Sequence, residues 1–151
     1  NTMLRIGRNL FVHAGLSARL LERNLEMDTL NARMSEGLYR TSKERREDPT
    51  LEFLYRSAGP VWYRGMVCTD EKYDPLTPEQ TDALLRRYDA DRLLIGHTIF
   101  PDISTFHDGR VIAVNVQNEL NRRKNRGRAV LIEGSRISVI GNRGVKRVLE
   151  E

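Results

Sequence analysis

Apolar residues follow two kinds of pattern along the chain, and each kind predicts a different element. Short apolar runs at 3–6 and 10–13, separated by a Gly-Arg-Asn turn, predict two strands. Further on, apolar residues recur at three-, four- and seven-residue spacings, which predicts a helix with one apolar face. The residues of that face are Leu20, Leu25, Met27, Leu30, Met34 and Leu38. The charged stretch 41–50 holds no core residue, so an exposed loop or frayed turn is predicted there.

The second half of the chain adds one more helix and then a series of strands. Thr77-Pro78-Glu79-Gln80 is typical of a helix start, because threonine can cap and glutamine can complete a capping box. Strands are predicted at 92–95, 111–114, 128–133 and 136–140, with a final edge strand at 145–149. We therefore predict an α+β fold, with mixed or antiparallel sheet layers and flanking helices, in one domain over residues 1–151.

Composition indicates a globular protein and excludes few functions. Charged residues make up 30% of the chain and hydrophobic residues 39%. No apolar run approaches the roughly 18 residues of a membrane span. Cys68 is the only cysteine, so no internal disulfide can form, and we interpret it as an inert thiol. A reducing compartment follows as the default, which predicts a cytoplasmic location, and the lack of an apolar span predicts no membrane partner.

The net charge of +4 is mild and is compatible with phosphorylated substrates without indicating them. Basic residues are densest in Asn121–Arg128, which reads N-R-R-K-N-R-G-R. This segment lacks the interleaved aromatic residues that are typical of single-strand nucleic-acid binding. A solvated hairpin loop is the favoured interpretation, and a phosphate or nucleic-acid contact is the alternative.

Two histidines share one local setting. His13 and His97 each follow a short apolar run, so each imidazole is predicted at the carboxyl tip of a buried strand. Binding sites collect at such tips, and imidazole is a common metal ligand. Two imidazoles do not complete a metal site, which needs at least three protein groups. The third histidine, His107, precedes Asp-Gly in a predicted turn, and we interpret it as exposed and uninvolved.

Arg64 is a candidate phosphate-binding residue in the compact segment Trp-Tyr-Arg-Gly. A guanidinium can hold a phosphate through two parallel hydrogen bonds, and neighbouring aromatic rings can keep it in place. A surface arginine beside a packed tryptophan would fit the same residues, so the segment alone leaves both interpretations open.

Three of these segments resemble, in order, those of calcineurin-like metallophosphoesterases, which include Ser/Thr phosphoprotein phosphatases. Residues 10–17, L-F-V-H-A-G-L-S, resemble the V-H-G-G-L segment of that family. Residues 59–65, G-P-V-W-Y-R-G, resemble the G-P-[VL]-W-Y-R segment of its Shewanella-like phosphatase branch. Residues 95–98, I-G-H-T, resemble its V-G-H-T segment.

The resemblance implies a β-sandwich of mixed sheets with a dinuclear metal centre of Mn, Fe or Zn. A metal-bound hydroxide would attack a phosphate monoester, and the two metals would stabilise the attacking and leaving oxygens. His13 and His97 would be metal ligands, and Arg64 would hold the substrate phosphate. Asn115 stands where relatives commonly have aspartate, and Ala14 replaces a glycine.

The family motifs that carry the remaining ligands do not occur in this sequence. They are G-D-x-H-G, G-D-x-x-D-R-G and G-N-H-E, all of which precede V-H-G-G-L in the family. The resemblance therefore implies the C-terminal half of a phosphatase domain that is inactive alone and binds metal weakly at most. The alternative is a non-catalytic binding or interaction module derived from a phosphatase. Half of a layered fold would leave sheet surface uncovered, which predicts a homo-oligomer.

Overall fold

The computed structural model describes residues 1–144 and 146–150. In order along the chain, its strands are β1 (Met3–Ile6), β2 (Asn9–Val12), β3 (Arg92–Ile95), β4 (Ser104–Phe106), β5 (Val111–Ala113), β6 (Arg128–Glu133), β7 (Arg136–Gly141) and β8 (Lys146–Glu150). The helices are α1 (Arg19–Arg23), α2 (Met27–Gly37), α3 (Ser42–Glu47), α4 (Pro49–Tyr55), α5 (Pro78–Arg87) and α6 (Asn118–Arg123). The predicted final strand is present as β8, although its predicted first residue, Val145, lies outside the described residues.

The larger sheet has five strands in the order β1-β2-β3-β5-β4. Its three central strands β2, β3 and β5 are parallel, while the outer strands β1 and β4 run antiparallel to their neighbours. The register aligns Val12 with Ile95 and Ile95 with Ala113. The carboxyl ends of the three central strands therefore meet at one edge of the sheet, here called the carboxyl edge.

Alternate side chains of β3 enter two different cores, as the two-residue period of a strand requires. Leu93 and Ile95 lie in the larger core, which the helices cover. Leu94 points the other way and packs in a smaller core with Ile137 and Val139 of the three-stranded sheet β6-β7-β8. The α+β class with a mixed sheet and flanking helices is thus confirmed.

Residues 41–50 form helices, so the prediction of a loop or frayed turn there is wrong, and helix caps explain why. Thr41 accepts a hydrogen bond from the amide of Glu44, whose carboxylate accepts one from the amide of Thr41 at 2.7 Å. This capping box begins α3, and Asp48 then caps α4 by accepting from the amides of Thr50 and Leu51. Caps of this kind satisfy amides that a helix start leaves free, so α3 forms without a buried residue, whereas α4 also buries Leu51, Phe53 and Leu54. The capping box predicted at Thr77 is present and begins α5.

Part of the larger sheet remains uncovered in the described chain. Leu4 and Ile6 on β1 are 45% and 59% exposed, and an open apolar cavity of about 970 Å³ extends from them past Phe11 to Val130 and Ile132 of β6. Association through this surface stays a prediction. Among the described residues, no helix is long and apolar enough to cross a bilayer, and the cytoplasmic location stays a prediction.

Candidate functional site

The parallel pairing of β2 with β3 brings the two strand-tip histidines together. The amide of Gly96 donates to the carbonyl of His13 at 2.8 Å, which continues the strand register past the end of both strands. Nε2 of His13 then lies 3.2 Å from Nδ1 of His97, so the two imidazoles form a hydrogen-bonded pair. His13 is exposed and His97 is half-buried. The pair therefore faces solvent on one side and the protein on the other.

His97 has two features that are unfavourable in a folded protein. Its φ is +60°, in the left-handed region that residues with a Cβ atom rarely adopt. Its Nε2 is buried and has no hydrogen-bond partner among the described residues. Strained backbone and unsatisfied buried polar atoms cluster at binding and catalytic sites, where a ligand supplies the missing contact.

Arg64 reaches the same place from the segment between α4 and α5. Its Nη1 donates to Oγ1 of Thr98 at 3.2 Å, one residue beyond His97. Trp62 lies edge-on to the His97 ring, with 5.4 Å between ring centroids. The structure thus brings together all three predicted site residues, His13, His97 and Arg64, and adds Thr98, which no sequence pattern indicated.

Tight packing fixes this segment against the strand tips. The carbonyl of Pro60 accepts hydrogen bonds from the amides of Ala14 and Gly15, directly after His13. A Cβ atom at Gly59 would lie 2.0 Å from the carbonyl oxygen of Leu54, so only glycine fits there. Gly65 is equally confined, by the Tyr63 hydroxyl and the backbone around 73–74. The backbone that carries Arg64 is therefore fixed, and the hydrogen bond to Thr98 orients its guanidinium.

Arg64 brings a permanent positive charge to the cluster. Burial lowers the pKa of His97, and the neighbouring charges of Arg64 and His13 lower that pKa further. His97 is therefore neutral at pH 7, with one ring nitrogen available as an acceptor. In the described part of the chain, no carboxylate forms an ion pair with Arg64. A guanidinium, a hydroxyl and two imidazoles together suit an oxyanion.

A dinuclear metal centre does not fit this geometry. Within residues 1–144 and 146–150, no three His, Cys, Asp or Glu side chains are grouped so that they could hold a metal ion. His13 and His97 hydrogen-bond to each other, and two ligands fall short of the three that a metal site needs. The expectation of two divalent metals is corrected on this ground.

The other candidate residues have structural partners. His107 is half-buried, with Nδ1 3.2 Å from the Thr81 hydroxyl and Nε2 3.0 Å from the carbonyl of Met66, so its prediction as an exposed side chain is wrong. Cys68 is half-buried against the larger core, and its amide donates to the carbonyl of Arg64. The carbonyl of Asn115 accepts from the amide of Phe100.

The basic segment Asn121–Arg128 is the end of α6 and the turn into β6, and the predicted hairpin loop is wrong. Arg123 pairs with Glu119, and Arg128 pairs with Asp102 at 2.7 Å. Arg126 donates twice to the buried side chain of Asn121. These contacts assign much of the segment's charge to structure.

Solved structures with the same fold are phosphatases. The chain matches a cold-active protein tyrosine phosphatase with a TM-score of 0.87 and 26% identity, over 99% of this chain and 42% of that one. It matches the cold-active protein-tyrosine phosphatase of a psychrophilic Shewanella species with the same score and identity, over 43% of that chain. The chain thus spans less than half the length of these neighbours. No protein-family model matches the sequence, and no curated protein matches it.

These comparisons correct the family prediction. The neighbours are described as protein tyrosine phosphatases, so the assignment to calcineurin-like metallophosphoesterases and Ser/Thr phosphoprotein phosphatases, with its β-sandwich, is not supported. The motifs behind that assignment are short strand tips and one tight loop, where backbone geometry constrains the residues, and such segments identify a site better than a family. The predicted inactivity was drawn from the missing ligands of that family, and it is not supported. That residues 1–151 are part of a larger catalytic domain stays a prediction.

Proposed function

We propose that the protein acts as a phosphatase, and that the site at the carboxyl edge holds the phosphoryl group of a phosphate monoester. One observation carries the proposal: Arg64, without a carboxylate partner in the described chain, donates to Thr98, the residue after His97, and Nε2 of His97 is buried without a partner. A tetrahedral anion can satisfy both groups at once, because it presents several oxygens in different directions. The likeness to protein tyrosine phosphatases supports the same chemistry and favours aryl phosphates such as phosphotyrosine.

Each side chain has a role in this proposal. Arg64 binds two phosphoryl oxygens, and Thr98 orients its guanidinium. A water oxygen bonds to phosphorus while the ester oxygen leaves with the electron pair of its P–O bond. Nε2–H of neutral His97 donates to a phosphoryl oxygen, while its Nδ1 accepts from His13, 3.2 Å away. The other ring nitrogen of exposed His13 is placed to accept the proton of the water and to pass it to the leaving oxygen. The roles of His13 and His97 as metal ligands stay predictions from the sequence.

Phosphate binding and hydrolysis can be tested separately on the purified chain. Trp62 is the only tryptophan and packs edge-on against His97, so its fluorescence reports on ligands at the site. Orthophosphate is titrated into the wild type, Arg64→Ala and, as a matched control, Arg122→Ala on the exposed face of α6. We expect saturable fluorescence changes in the wild type and the control, and none in Arg64→Ala.

Hydrolysis of p-nitrophenyl phosphate is then measured in the presence of a metal chelator, and again with Mn²⁺ added in place of the chelator. Comparing the two conditions separates turnover by these side chains from turnover that requires an ion. Turnover that Arg64→Ala abolishes supports a phosphatase. Phosphate binding with no turnover in either condition would overturn the catalytic part of the proposal. Phosphate binding that does not depend on Arg64 would overturn the assignment of the site.

A further inference from the structure

A groove begins at Arg64 and leads away from the strand tips along α4. Its first part encloses about 840 Å³ and is lined by Arg64, Trp62 and Tyr73 among others. A second part of about 410 Å³ continues beyond it, and the two parts share Tyr55, Arg56 and Trp62. The first part alone has the size of clefts that hold ligands of several hundred daltons, which span about 300–1,000 Å³. The two parts together, here called the basic groove, provide room for an extended segment beyond the phosphoryl group.

The walls of the basic groove carry a large excess of positive charge. Its acidic lining residues are Glu52 and Asp74. Its basic lining residues are Arg19, Arg45, Arg46, Arg56, Arg64 and Lys72. A concave surface with one sign of charge concentrates ligands of the opposite sign. Charge complementarity therefore points to an acidic ligand.

Several of these cations are held by aromatic rings. The guanidinium of Arg45 lies 4.5 Å from the ring centroid of Tyr55, and the ammonium of Lys72 lies 4.8 Å from that of Tyr73. A ring positions a cation without neutralising it, so the charge remains available to a ligand. The ion pairs that do occur, Arg56 with Glu52 at 3.5 Å and Lys72 with Asp70 at 3.0 Å, are solvent-exposed and can exchange partners at little cost.

We propose that the basic groove binds an acidic peptide segment next to the phosphorylated residue of a protein substrate. The inference builds on the proposed function, because the groove starts where the phosphoryl group would be held. A single-stranded nucleic acid is the other polyanion to consider, and its bases need free aromatic faces for stacking. Here Tyr55 and Tyr73 already carry Arg45 and Lys72, and Trp62 is the exposed ring that remains. The geometry thus favours carboxylates over bases.

Fluorescently labelled peptides of one length test the groove by anisotropy, independently of turnover. Three are used: a phosphotyrosine with Glu and Asp on both sides, the same peptide without phosphate, and a phosphotyrosine flanked by alanine. We expect the acidic phosphopeptide to bind about tenfold more tightly than the alanine-flanked one, since charge pairs on a surface contribute modestly and add up.

Charge-reversal variants assign the effect to the groove. Arg46→Glu and Arg56→Glu should each lower the affinity for both acidic peptides by about fivefold and leave the affinity for the alanine-flanked peptide unaffected. Arg122→Glu on α6 should change none of these affinities. Circular dichroism checks that each variant is folded. Equal affinity for the acidic and alanine-flanked peptides would overturn the proposal, as would losses in Arg122→Glu equal to those in Arg56→Glu. Stronger displacement by a single-stranded oligonucleotide than by the unphosphorylated acidic peptide would assign the groove to nucleic acid instead.

Arg64→Ala distinguishes this failure from a failure of the proposed function. It should weaken both phosphopeptides more than the unphosphorylated acidic peptide. Suppose that Arg56→Glu lowers the affinity for the acidic peptides, but that Arg64→Ala lowers the affinity for phosphorylated and unphosphorylated peptides equally. The proposed role of the groove is then supported, and the phosphate site is wrong.

Discussion

The two ends of the central parallel strands differ in how their charged side chains are paired. At the amino end, Arg8 binds Asp91 at 2.7 Å and Asp89 at 2.5 Å, and Arg5 binds Asp89 as well. At the carboxyl end, Arg64 has a hydroxyl partner, and the imidazoles have each other. Both ends hold arginine at the tips of the same sheet. The difference lies in the partners: an arginine paired with carboxylates has a structural role, whereas one that contacts only a hydroxyl can still bind an anion.

The difference matters because the two arginines and two aspartates at the amino end balance in charge, which leaves no excess charge to attract an anion. The ion pairs at the amino end connect the turn before β2 to the turn before β3 and lie in solvent. At the carboxyl end, the backbone of His97 is strained and its Nε2 is unsatisfied. Such costs persist where the surrounding structure enforces them, and they are typical of binding sites rather than of stabilising networks.

Removing one arginine from each end gives the largest expected contrast. Arg64→Ala should lower kcat/KM for p-nitrophenyl phosphate by about 100-fold or more, because a charged donor on the reacting group is lost. Arg8→Ala removes the same charge and should leave kcat/KM within about twofold, since its partners are carboxylates far from the site. Steady-state kinetics and thermal unfolding of both variants test the contrast. Equal loss of activity in the two would show that net charge, and not the site, is responsible.

The sequence predicted the position of this site better than its surroundings. The spacing of apolar runs before His13 and His97 placed both imidazoles at strand tips, and the parallel register then brought them within hydrogen-bonding distance. The unsatisfied nitrogen of His97, its left-handed backbone and the bond from Arg64 to Thr98 depend on contacts between distant segments, which no local pattern contains. For the same reason the fixed position of His107 between Thr81 and Met66 was missed.

Family membership was the other failure, and its cause is also local. The motif from Gly59 to Gly65 is constrained by close packing against Leu54 and Tyr63, and the strand-tip motifs are constrained by the turn that follows each strand. Short segments under such constraints indicate where a ligand approaches the backbone. They carry little information about the rest of the fold, which the structural comparison supplied.

A smaller effect should appear in stability when the strain at the carboxyl end is released. Alanine at position 97 keeps a Cβ atom in the left-handed conformation, whereas glycine does not. His97→Gly should therefore be more stable to urea than His97→Ala by about 1 kcal/mol, although both should lose phosphate binding. At Leu94, within a regular strand, the order should reverse, because glycine is unfavourable there. If alanine is as stable as glycine at position 97, the backbone is not strained and the contrast between the two ends weakens.

The smallest expected effect is a separation of the two ends by pH. The pKa of His97 is lowered by burial, so the unfolded chain binds a proton first, near pH 6.5. The pKa of Asp91 is lowered by its hydrogen bond from Arg8, so there too the unfolded chain binds a proton first, near pH 3.9. In both cases the unfolded state holds more protons, so the free energy of unfolding falls as pH falls.

The stability that depends on the carboxyl end should begin to fall just below pH 6.5, and the stability that depends on the amino end only below about pH 4. Urea unfolding between pH 3 and 8 measures both windows. His97→Ala should flatten the upper one, and Asp91→Asn should remove only part of the lower one, because other carboxyl groups, such as those of Asp48 and Asp102, also have lowered pKa values. A slope near pH 6.5 that survives in His97→Ala would assign it to another histidine.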